Sequence, residues 1–265
     1  VIPDVTPISD DKVNLDFVVE EKKSTQRINA NLGFTGEYGI TGGAGVEFDN
    51  FRGKGQKLNI GASTGTNFSV YTTQEPSKYR SLNISFQDPM INDSPYLVGA
   101  SIFYSFRGSS TNYYFPLDFT VGGAVASFGR RLEWPDDFFR VMWSTKFMQK
   151  EYEGSQTDID NYIGGLQKTR GISLSQVLSR DSRNRAEFPT NGSTFILENT
   201  YSGGFLGGNE NFQKHMLTLD WFTPTFSKFV LYNSVKLGVI KTIDVGDDVQ
   251  SFVPFDERFI MGGNG

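Results

Sequence analysis

The chain has 265 residues and a formal net charge of −5, with basic residues scattered along it, which excludes a nucleic-acid footprint. Cysteine is absent, which removes disulfides, thiolate metal sites and cysteine nucleophiles together. No apolar run approaches the ~20 residues of a membrane helix, but alternating strands cross a bilayer without such a run.

Two-residue periodicity runs through most of the sequence, and it predicts strands and no helix. "KVNLDFVVEEK" (12–22) alternates Val13, Leu15, Phe17 and Val19 and closes on charges, a short strand of soluble character. "RINANLGF" (27–34) sets Ile28, Ala30, Leu32 and Phe34 on one face, with Asn29, Asn31 and Gly33 on the other. Ala44, Val46 and Phe48 share a face, as do Leu58, Ile60 and Ala62, then Leu82, Ile84 and Phe86. "YLVGASIFYSF" aligns Val98, Ala100, Ile102, Tyr104 and Phe106, and "DFTVGGAVASF" aligns Phe119, Val121 and Val125. "FFRVMWSTKF" sets Phe139, Val141, Trp143 and Phe147 opposite Arg140, Ser144 and Lys146. "GISLSQVLS", "STFILENTY", "KHMLTLDWF" and "KFVLYNSVKLGVI" complete about eleven strands, most of the length that spans a tilted bilayer crossing.

Compact connections rich in turn residues ("NFRGKG", "DPMINDSP", "EWPDD", "TPTFSK") mostly alternate with longer polar ones (65–78, 107–117, 150–168, 203–213). That rhythm is the one of a transmembrane β-barrel, with short periplasmic turns and longer outer loops. A soluble sandwich or lipocalin-type barrel also alternates, with its apolar face inward. Strand length, strand number and aromatics near strand ends (Tyr79, Tyr96, Phe106, Phe128, Phe139, Tyr201, Trp221) favour the membrane. The fold class read from the sequence is therefore all-β, an antiparallel transmembrane barrel.

Chemistry is sparse. His215 is the single histidine; it could activate a serine, but a polar residue near a strand end is the plainer reading. The glycines of "TGEYGITGGAG" have no following helix to cradle a phosphate, and they serve better as weak points in strand pairing. No cofactor, metal or enzymatic activity is expected. "RDSRNRAEFPTNGSTF" (180–195) is the densest charged stretch and reads physically as a turn.

Four segments, in order, resemble the BamA-like family of outer-membrane β-barrel assembly factors, the POTRA-plus-barrel superfamily. "KVNLDFVVEEK" resembles the last strand of the final periplasmic POTRA module. "GITGGAGVEFDNFRGKGQKLNI" resembles the family's second strand, turn and third strand. "RDSRNRAEFPTNGSTF" is similar to its Asp-rich turn, through Asp181, Pro189 and Gly192. "ERFIMGGNG" (257–265) resembles the start of the sixth loop, through Glu257, Arg258, Phe259, Gly262 and Gly263. The sequence stops before that loop's arginine motif and opens inside the POTRA module, so it reads as part of a longer protein.

The resemblance implies a POTRA remnant over residues 1–23. Residues 24–265 would then hold about eleven of sixteen barrel strands and end in the sixth loop. It implies that the first strand, Arg27 to Phe34, lies at a weak, openable seam where unfolded client barrels are inserted into lipid by strand templating. The implied partners are those clients, accessory lipoproteins and membrane lipid, at the outer membrane of a Gram-negative bacterium with the N-terminus periplasmic. A polypeptide transporter of the two-partner secretion or TamA type, and a passive channel, are the competing readings.

Overall fold

A computed structural model describes residues 3–9, 12–17, 26–35, 39–66, 78–109, 116–246 and 253–259. β1 (Pro3–Ser9) and β2 (Lys12–Phe17) pair antiparallel as a separate two-stranded sheet. β1 was not foreseen: Pro3 and Pro7 lack backbone donors, and such residues belong to an edge strand.

The remaining strands form one antiparallel meander of eleven in strict sequence order. They are β3 (Gln26–Thr35), β4 (Gly39–Phe51), β5 (Gln56–Thr66), β6 (Lys78–Asp88), β7 (Tyr96–Arg107) and β8 (Asp118–Arg131). Then come β9 (Phe139–Glu153), β10 (Lys168–Asp181), β11 (Gly192–Ser202), β12 (Phe212–Pro224) and β13 (Val230–Thr242). β3 and β13 are the two edges, so these strands do not close on themselves.

Register fixes the faces. Val46, Ile60, Ile84, Ile102, Ala124, Phe147 and Ile172 stand side by side across seven strands, β4 to β10. One residue along, the row reads Glu47, Asn59, Ser85, Ser101, Val125, Lys146 and Ser173. Leu178, Leu197, Leu217 and Leu237 continue the apolar face over β10 to β13. Side chains alternate with period two, so one face of the wall is predominantly apolar and the other is mixed and polar. The chain packs residues 253–259 against the polar face, which is the lumenal side. Leu58, Ile84, Val141 and Leu231 lie on the outer face, and Asn59, Ser85, Lys146 and Lys236 on the inner one.

Two expectations need correction. Tyr79 pairs with Gly65 and Arg107 on the inner face, so it is not part of an outer aromatic girdle. Phe119, Val121 and Val125 do share a face, but it is the lumenal one; Phe128, Ala126 and Ala124 point outward from β8. Glycine and alanine leave the outer face of β8 poor in apolar bulk, so hydrophobicity alone picks the wrong side. The other girdle residues hold: Tyr96 stacks on Phe128 at 5.4 Å and Phe128 on Trp143 at 6.2 Å.

The strand ends joined after β4, β6, β8, β10 and β12, mostly by short turns, lie at one end, and those joined after β5, β7, β9 and β11 by longer loops lie at the other. The β3–β4 connection is a short one at the long-loop end. The β9–β10 loop contains the one α-helix among the described residues, α1 (Gln156–Ile163), which periodicity also missed. Ser155 caps it by accepting from the Asp158 N–H at 3.2 Å, and Gly164 ends it in a left-handed conformation. Ile159 and Ile163, one turn apart, bury against Leu117 and Tyr152.

Candidate functional site

β3 has one neighbour. Its outward residues Ile28, Leu32 and Phe34 are each about four-fifths exposed, at 83%, 82% and 79%. Ala30 lies between them on the same face, and Arg27, Asn29, Asn31 and Gly33 face the lumen. Arg27 ties the strand's start to β4 through Glu47 at 3.2 Å and Asp49 at 2.9 Å. Beyond that fork the contact to β4 is thin, because Asn29, Asn31 and Leu32 meet Gly45, Gly43 and Gly42. Asn31 lies so close over Gly43 that an added Cβ would sit 2.6 Å from its amide oxygen, and Asn83 covers Gly61 likewise at 2.8 Å. Asn29, Asn31, Gly43, Gly61 and Asn83 line a shallow groove of about 340 Å³ beside the edge.

Among the described residues no strand pairs with the other side of β3, which leaves the outward-pointing backbone donors and acceptors of residues 27–35 without a partner strand. About half of the strand's groups, roughly ten, face away from β4, and in hydrocarbon each costs several kcal/mol. That total exceeds the ~5–15 kcal/mol stability of an ordinary domain, so the edge demands a partner strand in lipid.

The charged turn between β10 and β11 is cross-linked by its own side chains. Asp181 holds Arg183 at 2.7 Å, and Asn184 accepts from the N–H groups of Thr190 and Asn191 at 3.0 and 3.2 Å. Gly192 has φ +107°, and a Cβ there would overlap the Ser182 carbonyl and stand 2.7 Å from the Arg183 Cα. Pro189 follows Phe188, which itself holds a left-handed φ of 52°. Arg180 connects this turn to its neighbour through Asp136 at 2.8 Å and lies over the Phe138 ring at 5.4 Å. Desolvation pushes the Asp136 carboxyl up, but the hydrogen bonds from Arg180 and the Phe138 N–H outweigh it and hold the pKa below its usual value.

The third place was only half visible in the sequence. A short 3₁₀ turn, Phe255–Glu257, docks inside the wall on three lysines of β9 and β12. Lys150 is fully buried and sits 2.8 Å from Asp256 and 3.1 Å from Glu210, which in turn accepts from Thr169 at 2.6 Å. Lys214 binds the Glu257 carboxylate and carbonyl, both at 3.0 Å, and Lys146 approaches that carboxylate at 3.9 Å. Phe259 lies under Lys214, with the ammonium 5.4 Å from its ring. It fills the space over Gly238, where a Cβ would overlap the ring. Arg258 donates to the Val253 carbonyl and is exposed. Gly262 and Gly263 lie outside the described residues.

Glu257 and Phe259, singled out as the start of a loop, are therefore ligands of the lumenal wall. Lys146, Lys150, Lys214, Glu210 and Gly238 complete the clamp and were missed. Inward lysines on alternating strands look like ordinary lumenal polarity, and nothing local marks Glu210. His215 faces outward from β12, with its Nδ1 2.8 Å from the Asn199 amide oxygen and no serine among its described hydrogen-bond partners.

An apolar-faced edge strand, a meander of membrane-length strands and a loop root clamped in the lumen together define a β-barrel class. The Omp85 superfamily domain matches residues 50–265, and the chain belongs to that superfamily. It is 26% identical over 263 residues to the outer membrane protein assembly factor BamA of Nitratidesulfovibrio vulgaris, covering 96% of this chain and 29% of that protein. The crystal structure of BamA from Haemophilus ducreyi lacking POTRA domains 1–3 shares the fold, with a TM-score of 0.72 at 17% identity. The match covers 100% of this chain and 49% of that one, so the chain spans less than a third of one relative and about half of the other.

Proposed function

We propose that this chain is the barrel part of an outer-membrane protein assembly factor that folds and inserts client β-barrels by templating their strands on β3. The observation that carries the reading is the β3 edge, apolar outward, weakly tied to β4 beyond Arg27, and with no strand on its other side among the described residues. An edge strand recruits another strand through main-chain hydrogen bonds, and those are blind to most side chains, so many client sequences fit. Growth by successive hairpins needs apolar burial and backbone pairing alone, with no covalent chemistry and no cofactor. The partners are unfolded outer-membrane barrels, with accessory lipoproteins assisting at the short-turn, periplasmic end. The β1–β2 hairpin is the end of a POTRA module on that side. A passive channel fits less well, since residues 253–259 occupy part of the lumen.

The test is client insertion into proteoliposomes carrying the full-length protein. Asn29→Pro or Asn31→Pro removes a backbone donor from β3, and at least one should cut insertion about tenfold while the barrel remains folded. Asn29→Ser and Asn31→Thr keep the backbone and should insert normally, as should His215→Gln. A cysteine at Asn31 should form disulfide adducts with a cysteine-bearing client strand during insertion. Full activity of both proline variants, or insertion without any adduct, would rule out templating at this strand.

A further inference from the structure

We propose that the outer wall at the long-loop end of β9 and β10 binds the phosphate-bearing headgroup of a membrane lipid, with Arg170 as its principal ligand. The inference rests on the membrane placement of the barrel. Up these two strands the outward pairs are Val141–Leu178, Trp143–Gln176, Thr145–Leu174 and Phe147–Ile172, followed by Gln149–Arg170 and Glu151–Lys168. Apolar character ends at Phe147–Ile172, and the guanidinium begins one outward pair higher, about 7 Å further along the strand. That is the step from acyl chain to headgroup.

Here the wall is indented. A cleft of about 310 Å³ is lined by Gln149, Lys168, Arg170, Gly208 and Asn209. Asn209 holds both polar groups of the Arg170 backbone, the Arg170 N–H donating to Asn209 Oδ1 at 2.6 Å and its carbonyl accepting from the Asn209 N–H at 2.9 Å. Gly208, at φ +94°, bridges to Gly171 and leaves no side chain in the way. Among the described residues the Arg170 guanidinium makes no hydrogen bond or ion pair. Lys168 is held by Glu151 at 3.0 Å, and Gln149 donates to the same carboxylate at 3.1 Å. The cleft therefore carries two cations against one carboxylate, with the unspent charge on the side chain whose planar fork matches phosphate oxygens. The apolar pairs directly below supply the surface for acyl chains, which makes a lipid the occupant rather than a free anion.

The experiment uses the full-length protein in phosphatidylcholine nanodiscs doped with either phosphatidic acid or diacylglycerol, which differ in the phosphate. Lipid retained on release is counted by native mass spectrometry. Wild type should retain phosphatidic acid about fivefold over diacylglycerol, the preference that one interfacial arginine provides. Arg170→Gln should abolish that preference, Arg170→Lys should restore part of it, and neither should alter client insertion. Equal preference in wild type and Arg170→Gln overturns the site. Complete displacement by inorganic phosphate overturns the lipid assignment in favour of a free anion. If wild type retains neither lipid, the membrane placement falls and the headgroup site with it.

Discussion

Lys150→Met in the full-length protein should lower its unfolding free energy by about 3–5 kcal/mol, because it strips the counter-charge from a buried carboxylate. Glu210 is 1% exposed and would keep only the Thr169 hydroxyl, with Asp256 brought up beside it and no cation between them. Glu210 is buried whereas the Asp256 side chain is 41% exposed, so Asp256 is the carboxylate able to leave. Segment 253–259 should therefore detach, freeing the backbone around the already exposed Arg258 to enter the trypsin active site. Adding Glu210→Gln removes the stranded charge while an amide still meets Thr169, and most of the lost stability should return. Urea midpoints in lipid micelles and cleavage at Arg258 measure the two effects. Equal midpoints for the single and double variants would show that the clamp carries no charge energy.

Gly192→Ala should cost about 3 kcal/mol, adding left-handed backbone strain to a clash with the facing chain. The atoms in the way belong to the Ser182 and Arg183 backbone, so no side chain can rotate aside. Gly55 is the control. It also has a positive φ, 67°, but a Cβ there meets nothing within 4 Å, so Gly55→Ala should cost only about 1 kcal/mol of strain. The comparison separates conformation from contact. Because the β10–β11 turn is bound to its neighbour through Arg180 and Asp136, the loss at Gly192 should appear as a lower midpoint for the whole barrel. A local fraying of the turn with an unchanged midpoint would contradict this.

The barrel was legible in the sequence because period-two alternation is written into nearly every strand, and the register reproduces it from Ile28 on β3 to Leu237 on β13. The Arg27–Phe34 strand and the Asp181–Gly192 turn were legible for the same reason: each is a local pattern. The clamp was not. Lys150 and Asp256 lie 106 residues apart, and no spacing rule links a strand lysine to a carboxylate so distant. Helix α1 has eight residues, too few for a helical period to stand out, although Ser155 and Asp158 marked its cap. Tyr79 went to the wrong face because aromatic character was weighed above parity, while its partners Gly65 and Arg107 decide the matter.

The wall is mechanically uneven. Its named buried side chains, from Leu117 to Phe212, all belong to β8–β12 and their long loops, where rings and ion pairs brace neighbouring strands. Around β3, β4 and β5 the lumenal face is built from Asn29, Asn31, Gly43, Gly45, Gly61 and Ser63, with little side-chain height on that side. A thin plate bends where it is thinnest. Outward displacement of β3 therefore flexes that arc first and leaves the braced arc, with the lumenal turn fastened to it, in place. The edge behaves as a compliant flap hung on a stiff frame.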